Sequence, residues 1–566
     1  MQITNNIHFR NIRGDLFGGV TAAIIALPMA LAFGVASGAG PVAGLWGAVL
    51  VGFFAALFGG TATLISEPTG PMTVVLTGII ANFIAQEGTE KGLAMAFTVV
   101  MMAGVFQIIF GLLKLGRYVT MMPYTVISGF MSGIGIILVI LQIAPFLGQG
   151  SPGGGVVGTL RAIPELLGNV QPAETLLAAG TVAIIWFMPE KIKKVVPPQL
   201  VALVVGTVAS IALFPGADQI RRIGEIPAGF PSLVMPTFST EHLQIMVIDA
   251  AVLGMLGCID ALLTSMVADS LTRTEHNSNK ELLGQGLGNI VSGLFGGLAG
   301  AGATMGTVVN IQSGGRSALS GLSRAFILLV VILGASGLAA NIPLAVLAGI
   351  ALKVGIDIID WDFLKRAHTI SWKGALIMYG VILLTVLVDL IVAVGIGLFI
   401  ANVLTIDKMS RLQSESVRSI SDADDAMDLT QDEQRWLDEA NGRVLFFQLS
   451  GPMIFGVAKA IAREHNAIQE CDAIVFDIAD VPHMGVTASL ALENAIEEAV
   501  DKGREVFLVG AAGQTRRRLE KLKLFRKVSP ERCLMSREEA LKQATLQVTS
   551  GTASDGDFSD KAAPAV

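Results

Sequence analysis

The feature that most constrains this chain is a succession of about fourteen apolar segments between residues 15 and 405. Each is close to the ~20 residues that a helix needs to cross ~30 Å of hydrocarbon. The chain of 566 residues is 52% hydrophobic and only 15% charged, which is too apolar for a soluble protein of this size. The segments therefore predict an α-helical polytopic membrane protein.

Basic residues in the loops predict the orientation of these segments. Lys and Arg concentrate in alternate loops, to which we assign Arg316, Arg324 and Lys353 among others. Arg10 and Arg13 precede the first apolar run. By the positive-inside rule, this asymmetry places the N-terminus in the cytoplasm and favours an even number of spans. No small-residue cleavage site follows the first run, so we expect no removable signal peptide.

Two of the segments, residues 61–85 and 299–314, are interrupted by small residues. The first contains SEPTGP and the second AGAGATMG, and each continues into a run that is only half a helix long. A spanning segment can abandon helical hydrogen bonding only where its backbone is buried in protein or lines a wet cavity. Two such breaks in different halves of a chain are typical of the substrate site of a secondary transporter.

The positions of the breaks also predict an inverted repeat of seven plus seven spans. Asp15 opens span 1 and Asp249 opens span 8, and the third span of each half has a Thr at its break, Thr69 or Thr304. An odd number of spans in each half turns the second half upside down relative to the first. The two half-helices then enter from opposite faces, and we expect their N-termini to meet near the middle of the bilayer.

An aspartate in span 8 predicts a cation site, because an ionisable group inside a membrane segment is costly enough to indicate function. Asp260 lies near the middle of that span, and Thr264 follows one helical turn later on the same face. With the unwound backbone at Gly302 and the hydroxyl of Thr304, they offer the oxygen ligands that a hard cation accepts. We predict a sodium site here. The alternative is that Asp260 caps the half-helix at Thr304 or pairs internally.

The N-termini of the two half-helices predict an anion site. Each presents unpaired N–H groups and about +0.5 of charge, which attract a small anion without a basic side chain. The candidate residues are Thr69, Gly70, Ala303 and Thr304, which are small enough to allow close backbone approach. The alternative is that these small residues serve helix packing. Glu67, beside the first break, either lines the pathway or pairs within the segment.

After Thr405 the composition changes. Residues 406–440 are polar and acidic, which predicts a linker with helical pieces. Over residues 441–545, strand patterns such as VLFFQL and AIVFDI alternate with helical patterns such as IFGVAKAIAREH, which predicts a cytosolic α/β domain. Residues 1–14 are assigned to the cytosol, and residues 546–566 are predicted to be disordered.

Several motifs in this chain resemble those of the SulP anion transporters. They are DLFGGVTAAIIALPMALAFG in span 1, NKELLGQGLGNIVSGLFGG with its N-x-E-L-x-x-x-G-x-x-N spacing, NIQSGGRSALSGL, and LSGPMIFGVAKAI at the head of what looks like a STAS domain. Within the family, the chain is most similar to sodium-dependent bicarbonate transporters. The resemblance implies a core and a gate domain, a substrate site between spans 3 and 10, a homodimer that we assign to the STAS domain, and an inner (plasma) membrane location.

Many relatives have an Arg in span 10 where this chain has Gly306. Without it, Asp260 and a monovalent anion carry about −2 against about +1 from two helix ends. At ~6 Å and an effective dielectric constant of ~20, the two negative charges repel each other by about 3 kcal/mol, which a bound sodium ion would cancel. Together with the resemblance, which implies bicarbonate as the anion, this charge balance predicts a sodium-driven bicarbonate symporter with electrostatic coupling between its ions.

Other functions stay open at the level of sequence. The chain could carry sulfate or another oxyanion, act as an uncoupled anion channel, or be a membrane-tethered regulator whose STAS-like domain is the functional part. ATP-driven pumping is disfavoured because no GxxxxGK[ST] motif occurs. An enzyme is disfavoured because the spans contain no nucleophile–base or metal-ligand constellation, and we expect no nucleic-acid partner.

Overall fold

The structure is a computed structural model that describes residues 4–116, 123–193, 196–214, 220–224, 229–388, 390–414, 417–420, 429–453 and 471–551. The chain divides into two compact units, Met1–Ala401 and Asn402–Val566. Among the described residues, the first unit is built almost entirely of helices, and the second combines helices with a five-stranded sheet.

The helices of the first unit follow the apolar segments of the sequence. Five of the described helices are each long and apolar enough to cross a membrane, and one bent pair would add a sixth. The total of fourteen spans stays a prediction. The helices are α1 (Ile12–Ala36), α2 (Pro41–Phe58), α3 (Gly70–Glu87), α4 (Thr89–Leu112), α5 (Tyr124–Leu141), α6 (Ile143–Phe146), α7 (Gly155–Gly168), α8 (Pro172–Phe187), α9 (Glu190–Lys193), α10 (Pro198–Leu213), α11 (Leu243–Thr272), α12 (Ser278–Leu294), α13 (Thr304–Gln312), α14 (Ala318–Ala339), α15 (Leu344–Ile358), α16 (Trp361–Ile370), α17 (Trp372–Leu387) and α18 (Leu390–Ser414), the last of which continues into the second unit.

Two basic residues that the sequence prediction assigned to loops lie inside helices. Arg324 is fully buried in α14, where it pairs with Glu67. Lys353 lies in α15 and pairs with Asp357 on the next turn. The loop assignment of these two residues is wrong. Each cation has a carboxylate partner, which lowers the free-energy cost of placing the charge inside an apolar helix.

The loops contain two helices that hydropathy did not predict, α7 and α16. The α16 helix begins after Asp360, whose side chain accepts the N–H of Phe363 at 3.1 Å. The same carboxylate accepts hydrogen bonds from the hydroxyls of Tyr124 and Ser128 on α5. Both helices carry charged residues beside their apolar ones, so neither reads as a membrane span by itself.

The second unit contains the predicted α/β domain. Its sheet has the order β3-β4-β5-β6-β7, with β3 antiparallel to β4 and the remaining neighbours parallel. The strands β4 and β5 are mostly apolar, and hydrophobic clusters cover both faces of the sheet. The elements are β3 (Val417–Ile420), α19 (Gln431–Glu439), β4 (Val444–Ser450), β5 (Ala473–Asp480), α20 (Val486–Asp501), β6 (Glu505–Val509), α21 (Gly513–Lys521), β7 (Cys533–Leu534) and α22 (Arg537–Gly551).

The boundaries of this domain differ from those expected. The strand β3 lies in the segment predicted to be a linker, so the sheet begins before residue 441. The helix α22 continues to Gly551, past residue 546, where the disordered tail was predicted to begin. The helix predicted for IFGVAKAIAREH falls outside the described residues, as do residues 552–566.

In the first unit, the two breaks of the sequence meet as a short antiparallel crossing. The strand β1 (Ser66–Glu67) pairs with β2 (Ala301–Gly302), with Ser66 opposite Gly302. The N–H of Ala303 also donates to the carbonyl of Ile65 at 2.8 Å. These bonds satisfy backbone groups that the interrupted helices leave open. The helices α3 and α13 begin just after the two antiparallel strands, so both N-termini lie next to the crossing, one at each end. That they meet near the middle of the bilayer stays a prediction.

Side chains of α12 hold both strands of the crossing. Asn289 donates to the carbonyl of Gly300 at 2.9 Å and accepts the N–H of the same residue at 2.8 Å. Gln285 donates to the hydroxyl of Ser66 at 2.6 Å, and Glu281 accepts two backbone N–H bonds from the loop after α2. The helix that carries the N-x-E-L-x-x-x-G-x-x-N motif therefore supplies a row of polar groups that holds the two breaks in place.

Gly300 provides a first test of the crossing. A Cβ atom at this residue would lie 2.7 Å from the carbonyl oxygen of Glu67. We expect Gly300→Ala to push the strands apart and to cost at least 1–3 kcal/mol, as overpacking typically does. The matched control is Gly78→Ala on α3, where a Cβ atom meets nothing within 4 Å. Thermal unfolding in detergent should separate the two variants, and equal melting temperatures would contradict this close approach.

Asn289→Leu tests the α12 contacts. The substitution keeps the size of the side chain but leaves the buried N–H and C=O of Gly300 without their partner. We expect a loss of about 1–3 kcal/mol of stability for each group left unpaired. Asn169→Leu, at the exposed end of α7, is the control and should change the melting temperature little. If Asn289→Leu has the same melting temperature as the wild type, these bonds do not support the crossing.

Candidate functional site

Asp260 is a buried carboxylate on α11 that faces the first break. Its exposed fraction is 6%, and it accepts a hydrogen bond from the hydroxyl of Thr69 at 2.7 Å. Within the described part of the chain, no basic side chain pairs with it. The sequence offered capping of the half-helix at Thr304 as an alternative role, whereas the structure connects this carboxylate to the residue before α3.

Thr264, one turn further along α11, contacts the second break. Its hydroxyl donates to the carbonyl of Gly302 at 2.9 Å and lies 2.9 Å from the hydroxyl of Thr304. A Cβ atom on Gly302 would lie 3.1 Å from the Cα atom of Ala261, so the absence of a side chain permits this approach. The structure therefore brings Thr264, Gly302 and Thr304 into one cluster, beside the turn of α11 that carries Asp260.

A cation at this place would meet one carboxylate together with hydroxyl and carbonyl oxygens. Across the described ranges, no group of three or more His, Cys, Asp or Glu side chains could hold a metal ion. Transition metals favour imidazole and thiolate ligands, whereas hard cations take oxygen. The chemistry of the Asp260 region thus suits a hard cation.

The first turns of α3 and α13 leave backbone N–H groups without partners inside their helices. In α3 these groups belong to Gly70 and Met72, because Pro71 has no N–H. In α13 they begin at Thr304, which is exposed, and neither helix has a side-chain cap. Ala303, a predicted anion contact, donates its own N–H across the crossing and so contributes no free donor.

Helices from outside the crossing close the space in front of these N-termini. A Cβ atom on Gly70 would lie 2.4 Å from the Cδ1 atom of Ile358 on α15 and 3.8 Å from Leu138 on α5. Gln199 of α10 is 5% exposed, and its amide nitrogen lies 3.9 Å from the sulfur of Met305. The candidate site therefore lies between the crossing on one side and α5, α10 and α15 on the other.

Arg324 is the residue of this region that sequence reasoning missed. Its guanidinium pairs with Glu67 and donates to the carbonyls of Ser66 at 2.9 Å and Ala48 at 3.1 Å. Glu67 was expected to line the pathway or to pair within its own segment, whereas the structure pairs it with Arg324 on α14. A sign of this was present in the sequence, because Arg324 falls within the apolar run that begins at Ala318.

Comparison with known proteins agrees with this architecture. The model of the sulfate permease family matches residues 12–381, and the model of the STAS domain matches residues 435–540. The bicarbonate transporter BicA of Picosynechococcus sp. is 80% identical over 97% of each chain.

Two solved structures are similar as well. The transmembrane domain of a cyanobacterium bicarbonate transporter BicA is 77% identical, with a TM-score of 0.66, and the match covers 69% of this chain and 100% of that one. The overall structure of SLC26A9 is 16% identical with a TM-score of 0.79 over 97% of this chain and 92% of that one, which shows a shared fold. The chain therefore belongs to the sulfate permease family, has the fold of a helical membrane transporter, and ends in a STAS domain.

Proposed function

We propose that this protein is a sodium-driven bicarbonate symporter. The observation that carries the proposal is the carboxylate of Asp260, which is buried beside two helix N-termini without a basic partner in the described structure. The helix ends attract a small anion, and the carboxylate attracts a cation. The identity of 80% to a protein named as a bicarbonate transporter supports bicarbonate as the anion.

The sodium ion is assigned to Asp260, Thr264, Gly302 and Thr304. The anion is assigned to the N–H groups of Gly70 and Thr304, with Thr69 and Ala303 lining the site as small residues. Thr69 connects the two positions, because it precedes the first turn of α3 and its hydroxyl donates to Asp260. A sodium ion bound at Asp260 would therefore affect Thr69, the residue that lines the anion site.

Electrostatics explains why the two ions would bind together. The anion and Asp260 carry about −2, and the two helix ends supply about +1. At ~6 Å and an effective dielectric constant of ~20, the repulsion is about 3 kcal/mol, and sodium removes most of it. Arg324 does not alter this balance, because it is paired with Glu67. By linkage, each ion should tighten the binding of the other by the same factor.

For transport, we assign the crossing and its supporting helices α1–α4 and α11–α14 to a core domain that moves against a gate made of α5–α10 and α15–α18. The protein would lie in the inner membrane, with its N-terminus and STAS domain in the cytoplasm. The STAS domain would form a homodimer. These assignments are supported by the family membership and by the position of the site between the two sets of helices.

Asp260→Asn tests the cation site. Asparagine can still accept a hydrogen bond from Thr69 but carries no charge, so sodium-driven uptake of labelled bicarbonate into liposomes should fall at least about tenfold, the equivalent of ~1.4 kcal/mol. Asp269→Asn is the control, because Asp269 lies near the end of the same helix and bonds His276. It should keep the sodium dependence of the wild type. Undiminished sodium-driven uptake by a folded Asp260→Asn protein would overturn the assignment.

Counterflow tests the anion. A divalent anion would add a second negative charge near Asp260 without a compensating side chain, so we expect labelled bicarbonate to exchange much faster than labelled sulfate. Equal or faster exchange of sulfate would favour the alternative of an oxyanion carrier. Uptake without sodium, at high unitary conductance, would indicate a channel, and absence of transport by residues 1–405 would indicate a regulator.

A further inference from the structure

A second pair of buried charges lies behind the proposed ion sites. Arg324 is 0% exposed and Glu67 is 5% exposed. In the described structure the two form a self-contained ion pair, and neither has another ionic partner. The Nε atom of Arg324 is buried without a hydrogen-bond partner among the described atoms. Buried ion pairs add little to stability compared with apolar residues of similar volume, so an imperfectly bonded pair here points to a role other than packing.

The pair is attached to both breaks. Glu67 lies opposite Ala301 in the crossing, and Thr69, two residues after Glu67, bonds Asp260. Arg324 binds the carbonyl of Ser66, which lies opposite Gly302 in the crossing. Glu67 is therefore two residues from Thr69, and Arg324 is connected to Gly302 through Ser66.

We propose that Arg324 and Glu67 are positioning residues that set the electrostatic balance of the ion sites by neutralising each other. This inference rests on the proposed function. With the pair intact, Arg324 and Glu67 add no net charge to the surroundings of Asp260, and Glu281 on α12 is a further buried carboxylate that accepts backbone N–H bonds. Without Arg324, Glu67 becomes an additional uncompensated carboxylate. Without Glu67, Arg324 becomes an uncompensated cation.

The two losses have opposite effects on ion binding. Arg324→Gln should strengthen the binding of sodium and weaken that of bicarbonate, whereas Glu67→Gln should do the reverse. One unit charge at ~10 Å and an effective dielectric constant of ~20 changes an affinity roughly tenfold. In the double variant Arg324→Gln/Glu67→Gln no net charge is added, so both affinities should return to within about twofold of the wild type.

The experiment compares the full-length wild type, both single variants and the double variant. Apparent affinities come from uptake of labelled bicarbonate by proteoliposomes at one fixed pH. The increase of melting temperature with sodium chloride, against potassium chloride, measures sodium binding without transport. Glu174→Gln is the matched control, because it removes a carboxylate from the Glu174–Arg221 ion pair on α8 and should shift neither affinity.

Opposite shifts in the single variants and recovery in the double variant support the proposal. If Arg324→Gln does not fold, weaker sodium binding in Glu67→Gln and recovery in the double variant support it equally. Shifts of the same sign, unchanged affinities with only a lower maximal rate, or a double variant that does not recover overturn this inference alone. A wild type that neither transports with sodium nor is stabilised by it overturns the proposed function and this inference with it.

Discussion

The structure depends on the need to satisfy backbone hydrogen bonds where two apolar segments stop being helical. In hydrocarbon an unpaired N–H or C=O is too costly to persist, so each break requires a partner. Here each break is the partner of the other, through the pairing of Ser66–Glu67 with Ala301–Gly302. The polar side chains of α12 complete the arrangement. The position of both helix N-termini, and so of the candidate site, follows from this single solution.

Local chemistry made much of the site predictable. An aspartate in an apolar span, a threonine one turn later and small residues at two interruptions are visible in the sequence, and the structure places Asp260, Thr264, Gly302 and Thr304 beside the crossing. The domain order and the α/β character of the C-terminal unit were also predictable, because their patterns are periodic. Only the exact boundaries were not predictable. The strand β3 lies in the polar, acidic segment after Thr405 but pairs with β4, which lies in the apolar pattern that follows.

What the sequence did not predict are the distant partners. Glu67 and Arg324 are 257 residues apart, and Thr69 and Asp260 are 191 residues apart. Composition shows that an arginine stands in an apolar run, but not which carboxylate neutralises it. The contacts of the motif on α12 could not be predicted for the same reason, since its hydrogen-bond partners lie on other segments. These polar contacts convert a set of apolar helices into one defined arrangement, because each has a specific partner.

The crossing also has a consequence for how the protein is made. The ribosome synthesises Glu67 about 230 residues before Ala301, which at about 5–20 residues per second is an interval of roughly 10 to 50 seconds. During that time β1 lacks its strand partner. The crossing can therefore form only after Ala301 has been synthesised, and until then the backbone groups of the first break lack the partners that the complete structure gives them.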